Sequence, residues 1–140
     1  MKKILFVCTG NTCRSPMAEV LFNKMLKERN ITDISASSAG IAAYTGSPAS
    51  DNAMAAVKEL GADLSQHKAR LVTRRLIEES DEIYCMSDSH AKALIGLFPE
   101  AEDKIRVLGG GIEDPFGGDI NVYRACRDQI LAALNDIIKR

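Results

Sequence analysis

The chain alternates between short apolar runs and longer segments in which apolar residues recur at helical spacing. Mostly apolar runs in residues 3–8, 82–86 and 105–108 are typical of buried β-strands, and the small residues 34–38 are predicted to form a further strand. Helical periodicity fills the segments between them. Strands that alternate with helices pair in parallel, since each helical crossover returns the chain to the same end of the sheet. The pattern therefore predicts an α/β fold.

Polar residues that cap helices or form turns set the expected helix boundaries. Helices are predicted over residues 15–29, from Ser47 to Leu60, from Thr73 to Glu79, from Ser87 to Phe98, and onward from Asp119 or Asn121. Residues 109–118 contain five glycines and are predicted to form a loop. We expect a single domain over residues 1–140, built as a three-layer αβα sandwich. Its four-stranded, twisted parallel sheet should carry helices on both faces.

The most informative segment is the octapeptide Cys-Thr-Gly-Asn-Thr-Cys-Arg-Ser at residues 8–15, which we name the cradle loop. It lies between the first strand and the first helix, where successive backbone N–H groups and the positive helix end can face one bound anion. A thiol at Cys8 in this field should ionise near neutral pH and act as a nucleophile. Arg14 can bind two oxygens of a tetrahedral anion. This arrangement indicates attack on a phosphate ester.

Hydrolysis of a phosphate ester also requires a proton for the leaving group. Asp114 lies in residues 109–118, which we name the aspartate loop, with glycines on both sides. This loop follows the fourth predicted strand, so it should reach the same sheet edge as Cys8. Asp114 is the candidate acid. Glu113 is a competing candidate, and an Asp-Pro turn without catalytic role is a further alternative.

Composition and charge argue against several classes of partner. The chain has 46% apolar and 26% charged residues, a net charge of −1 and a pI near 6.1, as in ordinary soluble globular proteins. This balance does not predict binding to nucleic acid or to a membrane surface. No apolar run reaches membrane-spanning length, and the polar residues after Val7 do not complete a signal peptide. We expect a cytoplasmic, monomeric protein.

The sequence also predicts the state of the cysteines and of the histidines. In a reducing cytoplasm the four cysteines should be free thiols, and Cys85 and Cys126 are predicted to lie in the core. No Cys-x-x-Cys spacing occurs. The spacing of Cys8 and Cys13 with the histidines therefore does not predict a zinc centre. His90 is predicted to be a solvated surface residue.

Several segments together resemble the low-molecular-weight protein tyrosine phosphatases over essentially the full length of the chain. The matching segments are residues 8–16, 38–40, 67–70, 85–86 and 114–115. The resemblance implies hydrolysis of phosphorylated protein substrates through a phosphocysteine intermediate, without a cofactor. It implies that Cys8 attacks phosphorus and that Arg14 holds the phosphoryl oxygens. Asp114 would protonate the leaving group and then activate water.

The same resemblance implies supporting roles. Phosphate or substrate contacts are expected from the cradle loop and from a cleft wall, at Thr9, Gly10, Asn11, Thr12, Cys13, Ser15, Tyr44 and Phe116. Ser15 is similar to the family serine that stabilises the thiolate. Asn11, Ser38 and His67 resemble a buried polar network that shapes the loop. Cys13 resembles a cysteine that forms a reversible disulfide with the nucleophile.

The implied substrate depends on Thr12 and on the residue after Asp-Pro. Tyrosine-specific members resemble each other in a bulky aliphatic residue at the first position and a tyrosine or tryptophan at the second. Thr12 and Phe116 are instead similar to the bacterial protein arginine phosphatases of the family, which implies phosphoarginine. An aromatic wall at Tyr44 would also suit phosphotyrosine, so that substrate stays open. A non-catalytic phosphate-binding or redox-sensing protein would keep the cradle loop and need no acid at Asp114.

Overall fold

The computed structural model describes residues 1–139 and contains four parallel strands. The strands are β1 (Lys2–Cys8), β2 (Ile34–Gly40), β3 (Glu82–Cys85) and β4 (Ile105–Val107). Their order in the sheet is β2-β1-β3-β4. Each strand boundary lies within two residues of the predicted one. The predicted α/β fold with a four-stranded parallel sheet is confirmed.

The helices follow the predicted alternation. Within the described residues they are α1 (Arg14–Glu28), α2 (Asp51–Lys58), α3 (Arg74–Glu79), α4 (Asp88–Leu97) and α5 (Ile120–Ile138). Four of them begin at a side-chain oxygen that accepts from the N–H three residues later, at Ser50, Thr73, Ser87 and Asp119. Two short 3-10 segments, Pro99–Lys104 and Leu108–Gly110, are not apparent from the periodicity. No helix in residues 1–139 is long and apolar enough to cross a membrane.

The start of α2 differs from the prediction. The helix begins at Asp51 rather than at Ser47. Ser47 O accepts from Ala69 N at 2.8 Å, and Gly46 N donates to Ala69 O at 2.8 Å. Because these bonds tie this stretch to a distant part of the chain, helical hydrogen bonding starts only at the Ser50 cap.

The sheet order places the end of β1 at a switch point. The chain leaves β1 toward β2 on one side and later enters β3 on the other side. Ligands of open parallel sheets bind outside such a point. Cys8 is the last residue of β1 and pairs in register with Gly40, the last residue of β2. The cradle loop therefore starts at the switch point itself.

The central strand β1 is buried on both faces of the sheet. Ile4, Phe6 and Cys8 belong to one hydrophobic cluster with residues of α1, α2 and α5, whereas Leu5 and Val7 belong to a second cluster with α3 and α4. Successive side chains of a strand point to opposite faces, which explains this alternation. The Cys8 side chain thus lies on the α1 side of the sheet, where the first turn of that helix can reach it.

Cys85 and Cys126 lie in the core, as predicted. Cys85 and Cys126 are free and buried, and burial raises the pKa of each thiol to about 12. Neither thiol ionises to a useful extent near neutral pH. Cys8 and Cys13 are therefore the cysteines left for chemistry.

Gly40, the last residue of β2, leaves no room for a side chain beside the cradle loop. A Cβ here would lie 2.5 Å from Thr9 O and 3.0 Å from Asn11 N, so Gly40→Ala must push the loop off the sheet. We expect the free energy of unfolding, measured by chemical denaturation, to fall by about 1–3 kcal/mol. Gly96→Ala in α4 is the control, because its Cβ meets no neighbouring atom within 4 Å, and it should be neutral or stabilising. Equal stability of the two variants would contradict the predicted clash.

Candidate active site

The candidate nucleophile faces a cleft at the carboxyl edge of the sheet. Cys8 is only 3% exposed, yet it lines a cleft of about 320 Å³. Its Sγ lies 2.8 Å from the Oγ of Ser15, which is in the first turn of α1. Arg14 lines the same cleft. The thiol and the guanidinium thus face one space, as attack on a bound anion requires.

Asn11 sets the direction of the hydrogen bond at Cys8. Its Oδ1 accepts from the backbone N–H of Arg70 at 3.1 Å, which fixes the orientation of the amide. Its Nδ2 then donates to Ser15 Oγ and to Ser38 Oγ, at 2.9 Å each. Because Ser15 Oγ already accepts this bond, its own hydrogen is free to donate to Cys8 Sγ. A hydroxyl that donates to sulfur stabilises the thiolate form.

The backbone at Asn11 is held by a second part of the chain. Asn11 is fully buried and has a left-handed φ of +56°. Its carbonyl oxygen lies 2.7 Å from His67 Nε2, and Arg70 Nε donates to Ser38 O at 2.9 Å. Ser38 Oγ donates to Glu19 Oε1 at 2.6 Å. The structure brings Asn11, Ser38 and His67 together, as the resemblance implies, and adds Glu19 and Arg70, which sequence reasoning missed.

Arg14 connects the cradle loop to the aspartate loop. It is 7% exposed, and its Nη1 donates to Ile112 O at 2.9 Å. Its Nη2 lies 3.8 Å from Asp114 Oδ2. Asp114 Oδ1 accepts from the N–H of Phe116 at 3.0 Å, which orients the carboxylate. Asp114 is therefore held at the cleft beside Arg14, whereas the competing acid Glu113 does not line this cleft.

The cleft lining separates the predicted binding residues into two groups. The lining consists of Cys8, Thr9, Gly10, Thr12, Cys13, Arg14, Asp114 and Phe116. Asn11 and Ser15 are fully buried, so their side chains support the loop instead. Tyr44 is 85% exposed and does not line the cleft, contrary to its predicted place. Within residues 1–139, no three His, Cys, Asp or Glu side chains form a cluster that could hold a metal ion.

Comparison with known proteins gives the family. The family model described as low molecular weight phosphotyrosine protein phosphatase matches residues 3–140. The chain belongs to this family. It is 37% identical to a protein-arginine-phosphatase of Geobacillus stearothermophilus, over 99% of this chain and 95% of that protein. This relative and the chain thus correspond over nearly their whole lengths.

Solved structures of the family share the fold. The low molecular weight protein tyrosine phosphatase from T. tengcongensis has a TM-score of 0.95 and 37% identity, and the match covers 99% of both chains. A cysteine-to-serine mutant of the YwlE arginine phosphatase, whose active-site serine is phosphorylated, has a TM-score of 0.93 and 35% identity. That match covers 98% of this chain and 93% of the other. The chain is therefore similar to members named for either phosphorylated side chain.

His90 of this phosphatase is buried, whereas the sequence predicted a solvated surface residue. It is 8% exposed, and its Nε2 lies 2.7 Å from Thr9 Oγ1 in the cradle loop. Its Nδ1 lies 2.8 Å from the Oγ of Ser87, the residue that caps α4. Burial and the nearby charge of Arg14 lower the pKa of His90, while Asp114 opposes this shift. A neutral imidazole therefore supports the first residue of the loop after Cys8.

Tyr123 is a second residue whose place the sequence did not reveal. Its hydroxyl lies 3.4 Å from Cys13 Sγ, which is also 3.4 Å from Ser50 Oγ. Burial, followed by the hydrogen bond with Cys13, raises the pKa of Tyr123 to about 12. The tyrosine stays protonated near neutral pH and can donate to the sulfur. In the sequence, Tyr123 shows only the helical spacing that it shares with Ile130, Leu134 and Ile137.

The environment of His90 predicts a pH effect. Its imidazole should titrate below the ordinary pKa of 6.5, which side-chain NMR can measure, with His90→Asn to assign the signal. The unfolded chain then binds a proton more readily than the folded chain, so unfolding becomes easier as pH falls from 6.5 through the folded pKa. His90→Asn should lose this part of the pH dependence of the unfolding free energy. A titration midpoint at or above 6.5 would contradict the prediction.

Proposed function

We propose that this phosphatase hydrolyses phosphoarginine in proteins, with Cys8 as its nucleophile. The observation that carries the proposal is a single cleft of about 320 Å³ that Cys8, Arg14 and Asp114 all line. A nucleophile, an anion-binding cation and an acid around one space are the groups that phosphoryl transfer to a thiol needs. The start of α1 beside the cleft adds backbone N–H groups that suit a phosphoryl group.

In the first step the Cys8 thiolate attacks phosphorus in line with the leaving group. An S–P bond forms as the P–N bond of phosphoarginine, or the P–O bond of an ester, breaks. Arg14 and the loop N–H groups stabilise the negative charge of the equatorial oxygens. Asp114 donates its proton to the departing nitrogen or oxygen. Arg14 is already oriented for this role by its bond to Ile112 O, at 2.9 Å.

In the second step water hydrolyses the phosphocysteine. The Asp114 carboxylate accepts a proton from water, whose oxygen attacks phosphorus as the S–P bond breaks. Inorganic phosphate leaves, and the Cys8 thiolate and protonated Asp114 are restored. The relative with a phosphorylated active-site serine supports such an intermediate, because there a serine that replaces a cysteine carries the phosphoryl group.

Thr12 favours phosphoarginine as the substrate. It lines the cleft, and its Oγ1 lies 3.8 Å from Cys13 Sγ. A hydroxyl at this place can bond to a guanidino group or to a bound water, whereas an aliphatic side chain would offer an apolar rim suited to an aromatic ring. A site built around a polar contact can discriminate strongly between substrates. The arginine phosphatase of Geobacillus stearothermophilus, 37% identical to this chain, supports the same substrate.

Phosphotyrosine is the second candidate substrate. Phe116 lines the cleft and is 82% exposed, so its ring is available to an incoming aromatic side chain. The similar structure from T. tengcongensis is named a tyrosine phosphatase. Tyr44 is exposed and does not line the cleft, so Phe116 is the aromatic side chain that does.

The proposed acid gives a kinetic prediction. Asp114→Asn should lower kcat for an aryl phosphate by about two to four orders of magnitude, because its amide cannot give the leaving group a proton. The inhibition constant of inorganic phosphate should change little, since Arg14 remains. Glu113→Gln is the matched control and should behave as wild type, while Cys8→Ser should abolish turnover. Near-normal turnover by Asp114→Asn would show that another group is the acid.

The proposed substrate is tested by comparing phosphoarginine and phosphotyrosine peptides of one sequence. The wild type should have the higher kcat/KM on phosphoarginine, and Thr12→Ile should shift the ratio toward phosphotyrosine because it replaces a polar contact with an apolar one. Thr45→Val, on a residue that does not line the cleft, is the control and should leave the ratio unchanged. A wild type that prefers phosphotyrosine would support the second candidate. An unchanged ratio in Thr12→Ile would contradict the role of Thr12.

A further inference from the structure

One glutamine side chain clamps the aspartate loop to α5. Gln129 Nε2 donates to Gly111 O at 3.1 Å, and Gln129 Oε1 accepts from Glu113 N at 3.2 Å. The two backbone groups flank Ile112, so a single amide holds both sides of that residue. Gln129 itself is exposed and does not line the cleft that contains Cys8.

The backbone of Ile112 forms hydrogen bonds that connect the aspartate loop to Arg14 and to the end of β3. Its carbonyl oxygen accepts from Arg14 Nη1 at 2.9 Å, and its N–H donates to Met86 O at 2.7 Å. Asp114 follows two residues later, with Oδ2 at 3.8 Å from Arg14 Nη2. A shift of the peptide groups around Ile112 would therefore move the carboxylate relative to the guanidinium.

Ile112 is packed in the hydrophobic core and Pro115 is buried, but Glu113 and Asp114 between them are exposed. A cleft of about 220 Å³ lies between α5 and residues 113–115, and Gln129 forms part of its lining. The loop begins with Gly109, Gly110 and Gly111, whose φ values of +56°, +78° and +118° lie in a region where glycine is the preferred residue. Glycines leave the backbone free to move. The two hydrogen bonds of Gln129 therefore add to the packing of Ile112 in setting the position of the exposed residues Glu113 and Asp114.

We propose that Gln129 is a positioning residue for the phosphatase reaction, an inference that rests on the proposed role of Asp114. Its two hydrogen bonds hold residues 111–113 against α5, so that the Asp114 carboxyl group stays within reach of the leaving atom. The adjacent Ile130 is fully buried, which anchors this turn of α5 in the core. Misplacing a catalytic group by about 1 Å can lower a rate by about 100-fold.

The role of Gln129 is tested by the dependence of rate on the leaving group. In Gln129→Ala, kcat/KM should fall by about 10- to 100-fold for phenyl phosphate, whose leaving oxygen needs a proton. It should fall by less than about threefold for p-nitrophenyl phosphate, whose phenolate leaves readily without one. A merely structural role would lower the rates for both substrates by the same factor.

Two further variants sharpen this test. Gln129→Glu keeps an acceptor for Glu113 N but has no donor for Gly111 O, so its leaving-group dependence should lie between those of wild type and Gln129→Ala. Asp136→Ala is the matched control, because Asp136 is exposed and lies seven residues later on the same face of α5. It should behave as wild type. Thermal unfolding shows whether each variant is folded. If Gln129→Ala does not fold, the leaving-group dependence of Gln129→Glu is compared with that of wild type instead.

Wild type and Asp114→Asn are measured in the same series. They separate a failure of the proposed function from a failure of the positioning role of Gln129. An inactive wild type, or an Asp114→Asn variant with unchanged leaving-group dependence, contradicts the proposed function. If wild type is active and Asp114→Asn shows the steeper dependence, the proposed function stands. Unchanged or equally lowered rates for the tested Gln129 variant would then overturn the positioning role.

Discussion

The buried, left-handed Asn11 is the constraint on which the rest of the site depends. A non-glycine residue at φ +56° must be held by its surroundings. Asn11 bonds to Ser15, Ser38, Arg70 and His67, which come from a helix start, a strand end and a connecting segment. The cradle loop takes its shape only where these three parts of the chain meet. The bonds that stabilise this edge of the fold are therefore the same bonds that direct a hydroxyl toward Cys8.

Arg14 provides the positive charge that the cleft presents. It is almost buried, but the nearest carboxylate, on Asp114, is 3.8 Å away, and its closer partner is the neutral carbonyl of Ile112. A buried cation that is incompletely paired favours an anion in the adjacent space. His90 adds no second positive charge near neutral pH, because burial and Arg14 lower its pKa. The cleft thus combines one fixed cation with one exposed carboxylate.

The reactive side chains of the two loops differ in exposure, since Cys8 is 3% exposed and the Asp114 side chain is 59% exposed, and the difference fits their proposed tasks. The cradle loop is bound through Asn11 to several segments, and an added Cβ at Gly40 would already collide with it. The aspartate loop begins with glycines. A nucleophile benefits from a fixed position throughout the reaction. The exposure of the Asp114 side chain lets the leaving group depart and water enter before the same carboxylate acts as a base.

The alternation of strands and helices, the caps at Thr73 and Ser87, and a cysteine–arginine anion cradle at the end of the first strand could all be predicted from the sequence. These features arise from residues that are close together in the chain. Glu19 could also have been found, since it lies four residues after Ser15 on one helical face. The contact of His90 with the cradle loop could not be predicted in this way, because it depends on how α4 packs beside β1. That contact joins residues 81 positions apart, and local patterns do not specify how distant elements pack.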